Sequence, residues 1–166
     1  RLRPIDGFEN LGGLLMPLPM QTELRKYTDT KKTMDQINEA VTGFALANGR
    51  LPCPADPSIA DGTPNAGTER AACANAATKV GVIPWVTLNI PETDAWGRRF
   101  TYRVTSTFAD AIGTTYGCTP PVNPQQSSFA LCASGDMQVQ SRNPSTKAAY
   151  DMTNVMLPAV FLSAGR

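Results

Sequence analysis

Histidine is absent from this chain of 166 residues. With it go the commonest general base, the Ser-His and Cys-His nucleophile pairs and the most frequent zinc ligand. Charge is scarce as well: 17% of residues are charged and the net charge is +1, which leaves no basic footprint for nucleic acid or an acidic membrane surface. No nucleic-acid partner is expected. The four cysteines, Cys53, Cys73, Cys118 and Cys132, contain no C-x-x-C pair, so a four-thiolate zinc site would lack the close ligand pairs it normally uses. No metal or other cofactor is expected. Long apolar runs are missing too. The longest near the start, Leu11 to Met20, is broken by two glycines and two prolines and is about half the roughly 20 residues a bilayer requires.

What the chain does have is a long helical pattern. Between Met20 and Gly49 the apolar residues Leu24, Tyr27, Met34, Ile37, Val41 and Phe44 recur at helical spacing, which places them along one face. Lys31, Lys32, Asp35, Gln36 and Glu39 fall on the other, with Lys31 and Asp35 at i,i+4. Pro17 and Pro19 precede the pattern and Asn48-Gly49 supplies a left-handed stop. One helix over 20–48, about seven turns at 3.6 residues each, is therefore expected. A loop and β region over 50–166 would complete a single domain and use the helix as its apolar partner. The fold class is α+β: a long N-terminal helix on a small antiparallel sheet, with long stapled loops.

Widely spaced, even-numbered cysteines in loop-rich sequence suggest disulfides and an oxidising compartment. Buried free thiols are the alternative. Of the three possible pairings, Cys53 with Cys73 and Cys118 with Cys132 are expected, because each closes a modest loop of irregular sequence. The run RLPCPADP (50–57) reads as an extended crossing, and 58–79 as a loop with turns at Asp61-Gly62 and Ala66-Gly67. Val80 to Pro91 carries two prolines, which makes it an edge strand or buried crossover anchored by Trp85.

DAWGRRFTYRV (94–104) is the clearest strand signal. After a turn at Asp94 to Gly97, Phe100, Tyr102 and Val104 alternate with Arg99, Thr101 and Arg103. Asp94 would accept N–H groups within the turn, Gly97 would relax φ, and Trp96 would cover the start of the strand. After a loop over 105–128, a second strand is expected from Phe129 to Cys132. Ser134-Gly135-Asp136 would then turn it into a hairpin partner carrying Met137 and Val139, followed by a polar stretch over 143–153. A final apolar strand from Val155 to Leu162 is interrupted by Pro158, and the chain reads as if more sequence once followed.

A basic leader ending in Gly7-Phe8, a long amphipathic helix, a stapled loop and a small sheet together resemble the type IV pilin-like proteins, which include the pilins and the pseudopilins of type II secretion. GFALANGRLPCPA (43–55), Pro84-Trp85 and DAWGRRFTYRV look like a bacterial subgroup with a prepilin-type cleavage and methylation signal. The resemblance covers roughly residues 14–104.

It implies a filament subunit held in the inner membrane before assembly and in a periplasmic or cell-surface filament afterwards, soluble when its stem is shortened. Residues 1–19 would then be a leader and shortened hydrophobic stem. A prepilin peptidase would cut after Gly7 and Phe8 would be methylated. Glu9 follows Phe8 directly, so the family's assembly glutamate is not carried over. The implied partners are copies of this chain or other pilin-like subunits, the secretion or pilus assembly machinery, and the peptidase.

Against this structural, non-catalytic reading stands a periplasmic or surface binding module, such as an adhesin at a filament tip, using loops 56–79 and 105–128. An enzyme would have to draw on Asp56, Asp61, Asp94, Asp110, Asp136 and Asp151, most of which sit beside Gly, Pro or Ala, where turn capping is the commoner role. Asp94 and Asp136 are also the acids to consider for calcium, but no loop shows Asp-x-Asp spacing.

Overall fold

In the computed structural model of the chain, residues 18–109, 133–151 and 156–165 are described. Helix α1 (Leu18–Asn48) is continuous over 31 residues, a rod of about 46 Å at 1.5 Å per residue. Pro19 falls in its first turn, where a missing N–H costs no helical hydrogen bond. Gly49, at φ 65°, ends it and donates its N–H to the Ala45 carbonyl at 2.9 Å. Four threonines on the rod, Thr22, Thr28, Thr33 and Thr42, donate their hydroxyls to the carbonyl four residues earlier. These residues are poor intrinsic helix formers, and the back-bonds satisfy their hydroxyls without leaving the helix.

The apolar face of α1 is seated over only part of its length. Ile37 and Val41 are buried and Met34 packs against the core, whereas Leu24 and Tyr27 stay 47% and 66% exposed. The buried line on the helix thus runs from Thr30 to Val41. Lys31 and Asp35 are both exposed, and no ion pair between them is found among the described residues.

Beyond α1 the chain crosses the core in extended form, burying Leu51, Cys53 and Ala55, with Pro52 and Pro54 fully enclosed. Strand β1 (Val80–Val82) follows the long loop, then the one-turn helix α2 (Trp85–Leu88), on which α1 packs directly. Strand β2 (Thr101–Val104) leads into the short α3 (Ser106–Ala109). Strands β3 (Gln140–Arg142) and β4 (Ala149–Asp151) form a separate hairpin, and β5 (Ala159–Leu162) returns to the main sheet. That sheet is antiparallel in the order β1-β2-β5.

Register makes Gly81, Tyr102 and Phe161 neighbours on the core face, and Val80, Arg103 and Val160 neighbours on the other. Phe100, Tyr102 and Val104 are fully buried, as their alternation with Arg99, Thr101 and Arg103 predicts. Val80–Val82 is an edge strand within the sheet, and its outer side is met by a bridge from Ala55 to Val82. The Trp85 indole lies over Gly67, whose φ is +68° and where any Cβ would collide with the ring.

Three expectations in the last third are revised. Ser134-Gly135-Asp136 is extended rather than a turn, because Gly135 lies against the backbone of Met156 and Leu157. Met137 makes a lone antiparallel bridge to Leu157, and the hairpin lies further on, between β3 and β4. Its turn is set by Asn143, whose side-chain oxygen accepts the N–H groups of Ser145 and Thr146, a local geometry that Asn favours. The polar residues from Asn143 onward thus carry that turn and strand β4 (Ala149–Asp151). Phe129 to Cys132, and Val155 at the start of the last strand, lie outside the described residues.

The Cys53–Cys73 disulfide is formed, with its Cα atoms 5.7 Å apart across 20 residues of sequence. Cys118 and Cys132 lie outside the described residues. Replacing Cys53 and Cys73 together by alanine should lower the unfolding free energy by about 3 kcal/mol, since the unfolded loop regains its freedom. Gly67→Ala should cost about 3 kcal/mol, from overpacking against Trp85 added to the strained φ. Urea denaturation of each variant against the parent measures both.

Candidate functional site

Three segments distant in sequence meet at Asp94, which is 5% exposed. Its Oδ1 accepts the N–H groups of Trp96 and Arg98, both at 2.9 Å, and its Oδ2 accepts the Ser163 hydroxyl at 2.6 Å. Gly97, at φ +76°, donates its N–H to the Asp94 carbonyl and closes the turn. The adjacent Ala95 N–H is taken by Thr30 Oγ1 of α1 at 3.1 Å. One turn therefore ties the middle of the helix to the residue just past β5. Burial pushes the Asp94 carboxyl up, but the hydrogen bonds from Ser163 and from the Arg98, Trp96 and Gly165 N–H groups outweigh it and hold the group below its ordinary range.

Trp96 projects from this turn toward α1, its indole N–H reaching Glu23 Oε2 at 3.4 Å. With Tyr27, Met34, Leu162 and Lys31 it lines an open, mainly apolar groove of about 360 Å³ between the helix and the outer strand β5. Above the groove the rod continues with Leu18, Met20 and Leu24, which are 79%, 52% and 47% exposed. Together these side chains form an exposed apolar strip along the upper turns of the helix.

Outside the helix, Glu69, Asp56, Asp61 and Asp136 are engaged in holding the loops. Glu69 accepts Arg50 through both carboxylate oxygens, at 2.8 and 2.9 Å, and also the Cys53 N–H at 3.1 Å. That fork ties the stapled loop to the end of α1. Asp56 accepts Ser58 and faces Arg70, and Asp61 accepts the Gly62 N–H. Asp136 is held by the Lys79 ammonium, Arg103 and the Thr105 hydroxyl. Although burial raises its carboxyl, these partners bring it below the usual carboxylate value. Asp110 and the side chain of Asp151 lie outside the described residues, as do Gly7, Phe8 and Glu9.

Asp94 and Asp136, the two acids weighed for calcium, thus point their oxygens at N–H, hydroxyl or cationic donors. Among the described residues no three Cys, Asp or Glu side chains come together as metal ligands. Sequence reading overlooked Thr30, Glu69 and Ser163. Only Thr30 left a signal, since it stands four residues before Met34 and seven before Ile37 on the buried line.

No protein family, curated protein or solved structure matches this chain. Among the described residues no helix is long and apolar enough to cross a membrane. The site consequently stands on its own geometry: an anchored helix with Leu18, Met20, Leu24 and Tyr27 exposed beside an open groove.

Because the folded pKa of Asp94 is depressed, its contribution to stability is present above the unfolded value of about 3.9 and is lost as pH falls through the lower folded value. Asp94→Asn should lower stability at pH 7 and shrink the loss between about pH 4 and pH 2. Denaturation midpoints across that range, variant against parent, give the comparison.

Proposed function

We propose that this chain is a structural, non-catalytic subunit of a filament of the type IV pilin or type II secretion pseudopilin kind, assembling through its N-terminal helix. One observation carries the reading. The stretch of α1 from Thr30 to Val41 is fastened to the globular layer by Ile37, Val41 and the Thr30 contact to the Asp94 turn, while Leu18, Met20, Leu24 and Tyr27 continue the rod exposed. A side chain such as Leu24, 47% exposed, gains about 1 kcal/mol on losing the rest of its contact with water, and copies of the same rod supply a matching surface.

The rest of the chain suits that role. A domain held by the Cys53–Cys73 staple and by the forked Arg50–Glu69 pair tolerates an oxidising exterior and presents a fixed outer surface. The loop and sheet acids Asp56, Asp61, Glu69, Asp94 and Asp136 are engaged in turns and ion pairs, which favours scaffolding over proton transfer. In this reading the inner membrane holds the subunit before assembly, a prepilin peptidase cuts between Gly7 and Phe8 and Phe8 is methylated, and the assembly machinery stacks it.

Expression of the chain with a full apolar stem, followed by sedimentation and electron microscopy, tests the assignment. Fibres should form, and Leu24→Asp should abolish them while the unfolding midpoint of the isolated domain shifts little, because the residue is already half exposed. Material that stays monomeric with an intact stem would refute the assignment.

A further inference from the structure

The outer face of the main sheet, opposite the core, carries a second groove. It has a volume of about 450 Å³, and its apolar walls are Val80, Met137, Val139, Val160 and Leu162. Among the described residues that line it none is aromatic. Its charged groups are Arg103 and Asp136.

Charge at this end of the groove does not balance. Lys79 and Arg103 both face the single carboxylate of Asp136. That carboxylate is taken up by the Lys79 ammonium and by the Thr105 hydroxyl at 2.8 Å. Arg103 is left with one long bond, from Nη2 to Asp136 Oδ1 at 3.4 Å, and its Nε is buried with no hydrogen-bond partner. An N–H enclosed without an acceptor carries a desolvation cost that nothing repays. Yet the Arg103 side chain as a whole is 41% exposed, so the guanidinium remains within reach of a ligand.

We propose that this groove binds a small aliphatic monocarboxylate, with its carboxylate on the Arg103 guanidinium and its hydrocarbon chain against the aliphatic walls. Each part of that ligand answers one feature of the site. Two cations against one carboxylate leave a single positive charge for a monoanion to neutralise. A planar carboxylate matches the fork of a guanidinium. The walls offer hydrocarbon without a ring to stack on, and the volume falls in the range of small-molecule sites.

Head and tail also have separate places. Arg103 pairs with Val160 and Thr101 with Leu162, so the exposed Leu162 lies about 7 Å along the strands from the cation. This assignment does not depend on the filament reading, because the groove lies on the sheet and away from α1.

Titration of the full chain with octanoate, followed by calorimetry and by amide shifts in nuclear magnetic resonance, tests the site. The amides of Val80, Arg103 and Leu162 should shift while those of Tyr27 and Trp96 stay in place. Acetate, which lacks the tail, and octanol, which lacks the charge, should each bind at least about tenfold more weakly. Arg103→Gln should weaken octanoate about tenfold, and Arg103→Lys should keep most of the affinity. Val160→Asp, which sets a carboxylate beside Arg103, should abolish binding and serves as a second variant if Arg103→Gln does not fold; urea denaturation checks each.

No binding of octanoate at millimolar concentration would overturn the proposal. So would octanol binding as tightly as octanoate, undiminished affinity in the folded Arg103→Gln or Val160→Asp chain, or shifts confined to the groove beside Trp96.

Discussion

Phe100, Tyr102 and Val104 lose all their solvent exposure within a single cluster that also holds Ile37 and Val41 of the helix, Trp85 of α2 and the crossing segment from Leu51 to Ala55. Burial of side chains of this size is worth about 2 to 3 kcal/mol each. The strands around them have only three or four residues, too few for ladder hydrogen bonds to hold a sheet in water. The central strand is therefore the point at which sheet, crossing segment and helix depend on one another. Tyr102 adds a polar constraint, since its hydroxyl donates to the Pro52 carbonyl at 3.1 Å within the core. An apolar substitute of the same shape would leave that carbonyl without this donor.

Outside the cluster, forked and stacked cations do what apolar side chains do elsewhere. The loop from 56 to 79 has few large apolar groups, yet Arg50 grips Glu69, and Arg70 donates to the carbonyls of Thr78 and Val80. Arg99 stacks over Trp85 at 4.7 Å while bonding Glu92 and the Ile59 carbonyl. Guanidinium suits this work because one planar group serves several acceptors and still covers a ring. Isolated exposed ion pairs contribute little. Here the pairs are mostly half-buried, and Arg50–Glu69 and Arg70–Asp56 lie across the loop that the disulfide already closes, so less conformational freedom remains to be lost on forming those two.

Features that repeat along the chain were legible; those that depend on distant partners were not. Helical spacing located α1 to within two residues at its start, and alternation separated the buried from the outward side chains of β2. Thr30 was passed over because a hydroxyl on an apolar line looks like a defect until the Ala95 N–H that it accepts is known. Ser163 and Glu69 carry no local pattern, since their partners lie 69 and 16 residues away. The hairpin was misplaced because Met137 and Val139 offer only one alternation. The signal that decides its position is Asn143, which takes two N–H groups in the turn.

The same distinction bears on the rod. Periodicity identified which residues share a face, but not how much of that face the domain would cover, because coverage depends on where the Asp94 turn and Ser163 fasten the helix. Thr30 sets that level: below it Ile37 and Val41 are enclosed, and above it Tyr27, Leu24 and Met20 are not. Above Thr30 the domain still reaches the rod through the Trp96 indole N–H, which donates to Glu23, yet the apolar side chains there stay exposed at a standing cost in water. A further surface meeting those turns would remove that cost.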